Sequence, residues 1–285
     1  MSAPLPLRQE ILSPENEAAT AELEALAQAL GKGAPSVESH ATLKQAKLAR
    51  SSSFFAKQAE KLVALAAERH AVLPADMFKH VQLISSPDDT AETNVFLMQE
   101  DRVHKVTQGI NFFGYTLFYN SRFNYIENIE ATPAEYLARL ALANRIFGAD
   151  NRFEGVAIDE DGAPRIVTSQ RYFDSEEEDR PIQEIEVAEL MTGEGFCARP
   201  SEREWYRPED GILVDDAHED NFRRLKNGNI FPIDLMLLKV ESSTSRKSLE
   251  GQPPAPERFP RLIAGLRRLH LVPRKKQPQT EQEIG

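Results

Sequence analysis

Asp216, Asn221 and Asp234 are the side chains whose types and spacing could do chemistry together. They lie in Gly211–Leu238, GILVDDAHEDNFRRLKNGNIFPIDLMLL, where apolar runs flank a polar cluster. The run Ile212-Leu213-Val214 ends on Asp215 and Asp216. A second strand leads into Asn227-Gly228, the strongest short hairpin signal, and a third, Ile230 to Ile233, ends on Asp234. The pattern predicts that three oxygen-bearing groups arrive at neighbouring strand ends. A pair of acids can hold a metal and activate water, so metal-dependent hydrolysis by Asp215, Asp216 and Asp234 is one reading. The plainer one is that Asp234 ends a strand in a turn and Asn221 caps one.

Composition bounds the classes open to such a site. The chain has 285 residues, 41% of them hydrophobic and 28% charged, which suits a soluble globular protein. A net charge of -11 argues against nonspecific nucleic-acid or anionic-membrane binding, because affinity for phosphate backbones comes from Lys and Arg. The single cysteine, Cys197, excludes an internal disulfide and a Cys-based zinc cluster, and a reducing cytoplasm is the expected compartment. No leader-like start and no apolar run near the ~20 residues of a membrane span is visible, so a soluble, unprocessed protein is expected.

The elements that must position the cluster follow from periodicity. Residues 1–77 read as a helical N-terminal extension: Pro14–Leu30 behind the cap Ser13, then an amphipathic segment from Ala41 to His70. Its Lys44, Lys47, Arg50, Lys57 and Lys61 series, interleaved with acids, reads as a solvated helix face. From Phe78 the period becomes two. Strands are predicted at 80–84, 94–98 and 102–106, then at 153–158 and 165–169 around an Asp161-Gly162 turn. The aromatic run Phe112 to Tyr125 has no clear period and is read as packing rather than a ligand platform. Thr132-Pro133-Ala134-Glu135 opens a helix that runs to Gly148 with a capping box. A short helix is expected at 182–191, another near Phe259–Leu269, and a polar tail follows from Pro273.

This order of elements, and the residues in it, resemble the protein-kinase-like fold. Asp216 to Asn221 matches the D-x-x-x-x-N of the kinase catalytic loop. In full, Asp216-Ala217-His218-Glu219-Asp220-Asn221 resembles the D-x-H-x-x-N of aminoglycoside and choline phosphotransferases, with Val214 and Asp215 where protein kinases have His and Arg. More closely, Thr132–Leu137, Asn144–Gly148, Glu154-Gly155, Ser169-Gln170, Gly195-Phe196, Asp216-Ala217-His218 and Pro232-Ile233-Asp234 resemble the kinase-like domains of polyvalent proteins from phages and other mobile elements.

The resemblance implies an α+β fold: an antiparallel five-strand N-lobe with one inserted helix, a small reduced C-lobe and the helical extension. Its domain would cover residues 78–240, with a linker, short helix and tail over 241–285. It implies an ATP- and Mg²⁺-dependent phosphotransferase whose acceptor the sequence does not name. On this mapping Asn221 and Asp234 hold the metal, Asp216 orients or deprotonates the acceptor, and Lys105 pairs with the α/β-phosphates. The segment Ser169-Gln170-Arg171, with Gln170 as the nucleotide-binding residue, would be the hinge beside the adenine. His218 reads as a hydrogen-bonded loop residue, and Glu135 as a cap rather than the partner of Lys105.

Two departures favour an inactive, pseudokinase-like binding module that meets a protein partner through the N-terminal helices. The loop Ser85–Thr93 has no glycine and three acids, a poor cradle for a triphosphate. Little chain follows Asp234 to build a large helical lobe.

Overall fold

The computed structural model describes residues 13–31, 38–39, 50–74, 76–84, 92–99, 102–108, 112–121, 124–172, 181–201, 203–225, 228 and 230–250. The helix expected near 259–269, the acidic stretch 176–179 and most of the Ser85–Thr93 loop lie outside these residues, as do Lys44, Lys47 and Asn227. Among the described residues the fold is α+β, with five helices and several sheets.

Two helices open it. α1 (Pro14–Leu30) starts where the Ser13 side chain accepts from Asn16 N, and α2 (Ser52–Glu68) where Ser51 does the same for Phe54. Each hydroxyl satisfies a backbone donor that has no partner within its helix. α3 (Pro133–Phe147) carries the predicted capping box and ends at Gly148, whose φ of 67° is the left-handed stop that glycine adopts at little cost. Leu23, Leu26 and Leu30 of α1, with Phe55 and Leu62 of α2, pack on Leu137, Leu140 and Phe153 in one core. At roughly 1.5–3 kcal/mol per fully buried leucine, this seat holds α1 firmly. The apolar faces of both helices are therefore covered from within the chain.

Six strands make the main sheet, in the order β2 (Val72–Leu73), β8 (Arg152–Ile158), β9 (Pro164–Arg171), β5 (Arg102–Thr107), β4 (Thr93–Gln99), β3 (Gln82–Leu83). Five are the expected antiparallel strands. The sixth, β2, adds in parallel to β8, a pairing a two-residue segment cannot announce.

A second difference lies in the aromatic run. β6 (Tyr115–Asn120) and β7 (Tyr125–Glu130) form an antiparallel hairpin between the third meander strand and α3, and the short β1 (Glu38–Ser39) pairs with β6 in parallel. All but the first residue of β6 are buried, so its two faces do not alternate and period two never shows. Leu117 and Tyr119 pack with Leu213, Met236 and Leu238 from beyond the main sheet.

The remaining elements are α4 (Glu184–Gly193), a four-stranded sheet and a small hairpin. The sheet runs β10 (Cys197–Ala198), β11 (Trp205–Arg207), β12 (Ile212–Asp215), β15 (Met236–Lys239), and β13 (Phe222–Arg224) pairs with β14 (Ile230–Pro232). α5 (Ser243–Glu250) closes the described chain. Ile146 and Phe147 at the end of α3 enter the core of this part, together with Met191, Trp205, Val214 and Leu237. α3 thus joins the two halves around the site.

Arg50 departs from the expected solvated face. It precedes α2 rather than riding on it, is buried, and its guanidinium binds Glu135 and the Glu130 carbonyl.

Candidate active site

One backbone residue draws the predicted site together. Ile233, which follows β14, donates its N–H to the Asn221 carbonyl at 2.9 Å, and its own carbonyl accepts from Lys105 Nζ at 3.1 Å. Asp234 is the next residue. The metal aspartate of the resemblance is therefore tethered on one side to the loop asparagine and on the other to the lysine on β5. Lys105 is held from both directions, since β5 pairs with β4 through Val95 and with β9 through Thr168.

The loop after β12 is organised around Asn221. Asp216 has φ of 62°, a left-handed conformation that an Asp side chain tolerates better than most. Asn221 Nδ2 lies 2.8 Å from the Asp216 carbonyl, 3.0 Å from Asp216 Oδ2 and 3.1 Å from His218 Nε2. All three contacts use the amide nitrogen, so the bonds that orient the side chain do not consume Oδ1. His218 Nε2 is also 3.4 Å from Asp216 Oδ1. It accepts from the Asn221 amide in a neutral ring and donates to Asp216 in a charged one. His218 is the hydrogen-bonded loop residue the sequence suggests.

A cavity of about 790 Å³ is lined by Lys105, Gln170, Asp216, His218, Asn221 and Asp234, together with Glu92, Tyr115, Arg171 and Arg223. Its size suits a nucleotide-sized ligand. Gln170 is buried on β9 in register with Val103, so the segment expected as a hinge continues the sheet. A niche of about 20 Å³ is lined by Lys105, Arg139, Asn151 and Asp234 among others. Glu135 faces elsewhere: its carboxylate accepts from Thr132 N and from Arg50.

Sequence reasoning missed Glu92 and Arg139. Arg139, on α3, is buried and binds Glu92 with both terminal nitrogens, Nη1 to Oε2 at 3.2 Å. Glu92 also accepts from Tyr115 N at 3.3 Å. Burial pushes the Glu92 carboxyl above the usual range, Arg139 opposes this, and the Asp234 charge reinforces it. Arg139 stays cationic: Glu92 and Asp234 outweigh the cost of its burial. The available signal was an arginine at the margin of the Tyr136, Leu137, Leu140 stripe, but its partner is 47 residues away.

Carboxylate and amide oxygens on Asp234 and Asn221, in one cavity with an ammonium group, fit a small hard cation bound alongside phosphate. Among the described residues, no group of three or more His, Cys, Asp or Glu could hold a metal by itself. The hydrolytic reading of Asp215, Asp216 and Asp234 thus lacks its cluster.

Residues 56–240, more than half of the chain, match the family model for the serine/threonine/tyrosine kinase found in polyvalent proteins. The chain belongs to this kinase family. The match begins inside α2, so the family's domain includes part of the helical pair that backs α3. No curated protein and no solved structure matches the chain. Among the described residues, no helix is long and apolar enough to cross a membrane.

Proposed function

We propose that this polyvalent-protein kinase transfers the γ-phosphoryl group of ATP, with Mg²⁺, to an acceptor hydroxyl. The observation that carries the reading is the meeting of Lys105, Asp216, Asn221 and Asp234 on one cavity, tied through Ile233. The main sheet and α3 serve as the N-lobe, and the four-stranded sheet with the β13–β14 hairpin as a reduced C-lobe.

Phosphoryl transfer is mostly positioning and charge neutralisation. Bound Mg²⁺ supplies that neutralisation on the phosphate oxygens. Asp234 and the Oδ1 of Asn221 hold the metal. Lys105 gives up the Ile233 carbonyl for the α/β-phosphates, a stronger charge-assisted bond. Asp216 accepts the acceptor's hydroxyl proton, and its Oδ2 is held for this by the Asn221 amide. Gln170 marks the adenine end. The cytoplasm is the proposed compartment.

One observation favours the binding-module reading. Glu135, the acid on α3, pairs with Arg50 and not with Lys105, and a second acid, Glu92, lines the same cavity. A protein partner would have to use the exposed faces of α1 and α2, since their apolar faces are buried.

Titration calorimetry of the full chain with ADP and Mg²⁺ separates the two readings. The wild type is expected to bind with a metal dependence that Asp234→Ala removes. Asp216→Ala should keep binding and lose phosphoryl transfer. Absence of nucleotide binding by the wild type overturns the enzymatic reading and leaves the binding module.

A further inference from the structure

Asp234 has an unusual neighbour. Its carboxylate is exposed to the cavity and forms no hydrogen bond or ion pair among the described residues. Yet a buried guanidinium, Arg139, lines the same niche and contacts the sulfur of Met236, two residues after Asp234. A buried cation beside a free carboxylate should capture it, because an unpaired charge away from water is costly. Arg139 does not: it directs one N–H from each terminal nitrogen at the Glu92 carboxylate and another from Nη1 at the Met236 sulfur, and it makes no hydrogen bond to Asp234 among the described residues.

Glu92 is itself fixed from a second element. The backbone N–H of Tyr115, the first residue of the β6–β7 hairpin, donates to its Oε1. The Arg139 guanidinium lies over the Tyr136 ring, 5.2 Å from its centroid. Arg139 is thus presented with two acids: Glu92, which is clamped against it, and Asp234, whose charge acts on it without a hydrogen bond or ion pair among the described residues.

We propose that Glu92 is a positioning residue: by holding Arg139 it keeps the Asp234 carboxylate available to a divalent cation. The inference rests on the metal-binding role of Asp234 argued above. It assigns a task to a carboxylate that the resemblance left without one, and it gives the inserted hairpin a part in the site through Tyr115. With Glu92 neutralised, Arg139 turns to Asp234 and competes with the metal. With both charges removed, the competition disappears.

The test uses the full chain and Mn²⁺ as the probe, with its affinity read by electron paramagnetic resonance, with and without ADP. Glu92→Gln is expected to weaken Mn²⁺ binding about tenfold or more, the scale of one charge-assisted contact. ADP binding without metal should change less than about threefold. The double variant Glu92→Gln with Arg139→Met is expected to bind Mn²⁺ within about threefold of wild type. A role confined to folding predicts instead that the double variant is no better than the single one, and that result overturns the proposal. If Glu92→Gln does not fold, the double variant alone decides, since a tenfold loss in it refutes the competition. Equal Mn²⁺ affinity in wild type and Glu92→Gln sinks the proposal while leaving the kinase reading intact. Failure of the wild type to bind Mn²⁺ in any condition removes the metal role of Asp234 and the proposal with it.

Discussion

Replacing Glu135 tests how the helix beside the site is held. In a protein kinase of ordinary design, a glutamate on this helix pairs with the strand lysine, and its loss disables the site. Here Glu135 sits at the third capping-box position and binds Arg50, whose Nη1 and Nη2 lie 2.9 and 2.5 Å from its oxygens. Glu135→Ala removes the cap acceptor for Thr132 N, a loss of about 1 kcal/mol. It also strands Arg50, whose side chain is 4% exposed. Breaking a buried pair costs about 3–5 kcal/mol, reduced here because the Glu130 carbonyl still accepts from Nη1 at 2.6 Å. The expected loss is about 3–4 kcal/mol in a urea unfolding series. Arg50→Met is milder, about 1–2 kcal/mol, because Glu135 keeps Thr132 N and touches water. Neither change should move ADP affinity by more than about twofold under conditions where the chain stays folded. A tenfold loss of ADP affinity in Glu135→Ala but not in Arg50→Met would refute the reasoning and make Glu135 the partner of Lys105.

Two further outcomes follow from particular residues. His104 lies in β5 near the Phe78 ring, and its Nδ1 has no hydrogen-bond partner among the described residues. Burial pulls its pKa down, Glu154 opposes this and Arg102 assists it. The unfolded chain therefore takes up the proton first. The neutral ring's contribution is complete above about 6.5, the ordinary value, and is lost as pH falls below it. His104→Phe should flatten that part of the stability profile; an unchanged acid limb would contradict the assignment. Gly155 has φ of 148°, and an added Cβ would meet the Ala71 carbonyl oxygen at 2.3 Å. Gly155→Ala should cost more than about 1 kcal/mol and loosen β2 from β8, read by amide exchange at Leu73 and Val156. Normal protection there would show that the edge adapts.

What was legible in the sequence came from local rules. The Thr132–Glu135 capping box, the strand ending at Asp215, the β13–β14 hairpin and the spacing of Asp216, Asn221 and Asp234 all depend on residues close along the chain. Hydrogen-bond geometry and side-chain period fix such features wherever they occur. Family resemblance then supplied roles that spacing alone left open. The first strand of the aromatic hairpin, β6, escaped because burial on both faces erased its alternation. Arg50 escaped because a charge next to a helix is usually solvated, and its partner lies 85 residues on.

The sequence by itself determined which chemical groups the site has and the order in which the chain delivers them. Only the tertiary structure decided which of them meet. Lys105 reaches Ile233 across 128 residues, and Arg139 reaches Glu92 across 47. The choice of Glu92 over Asp234 as the arginine's partner depends on packing among α3, β4 and the β6–β7 hairpin. The physical reason is that a buried charge takes whichever counter-charge the folded chain places within bonding distance, and sequence separation carries no record of that distance.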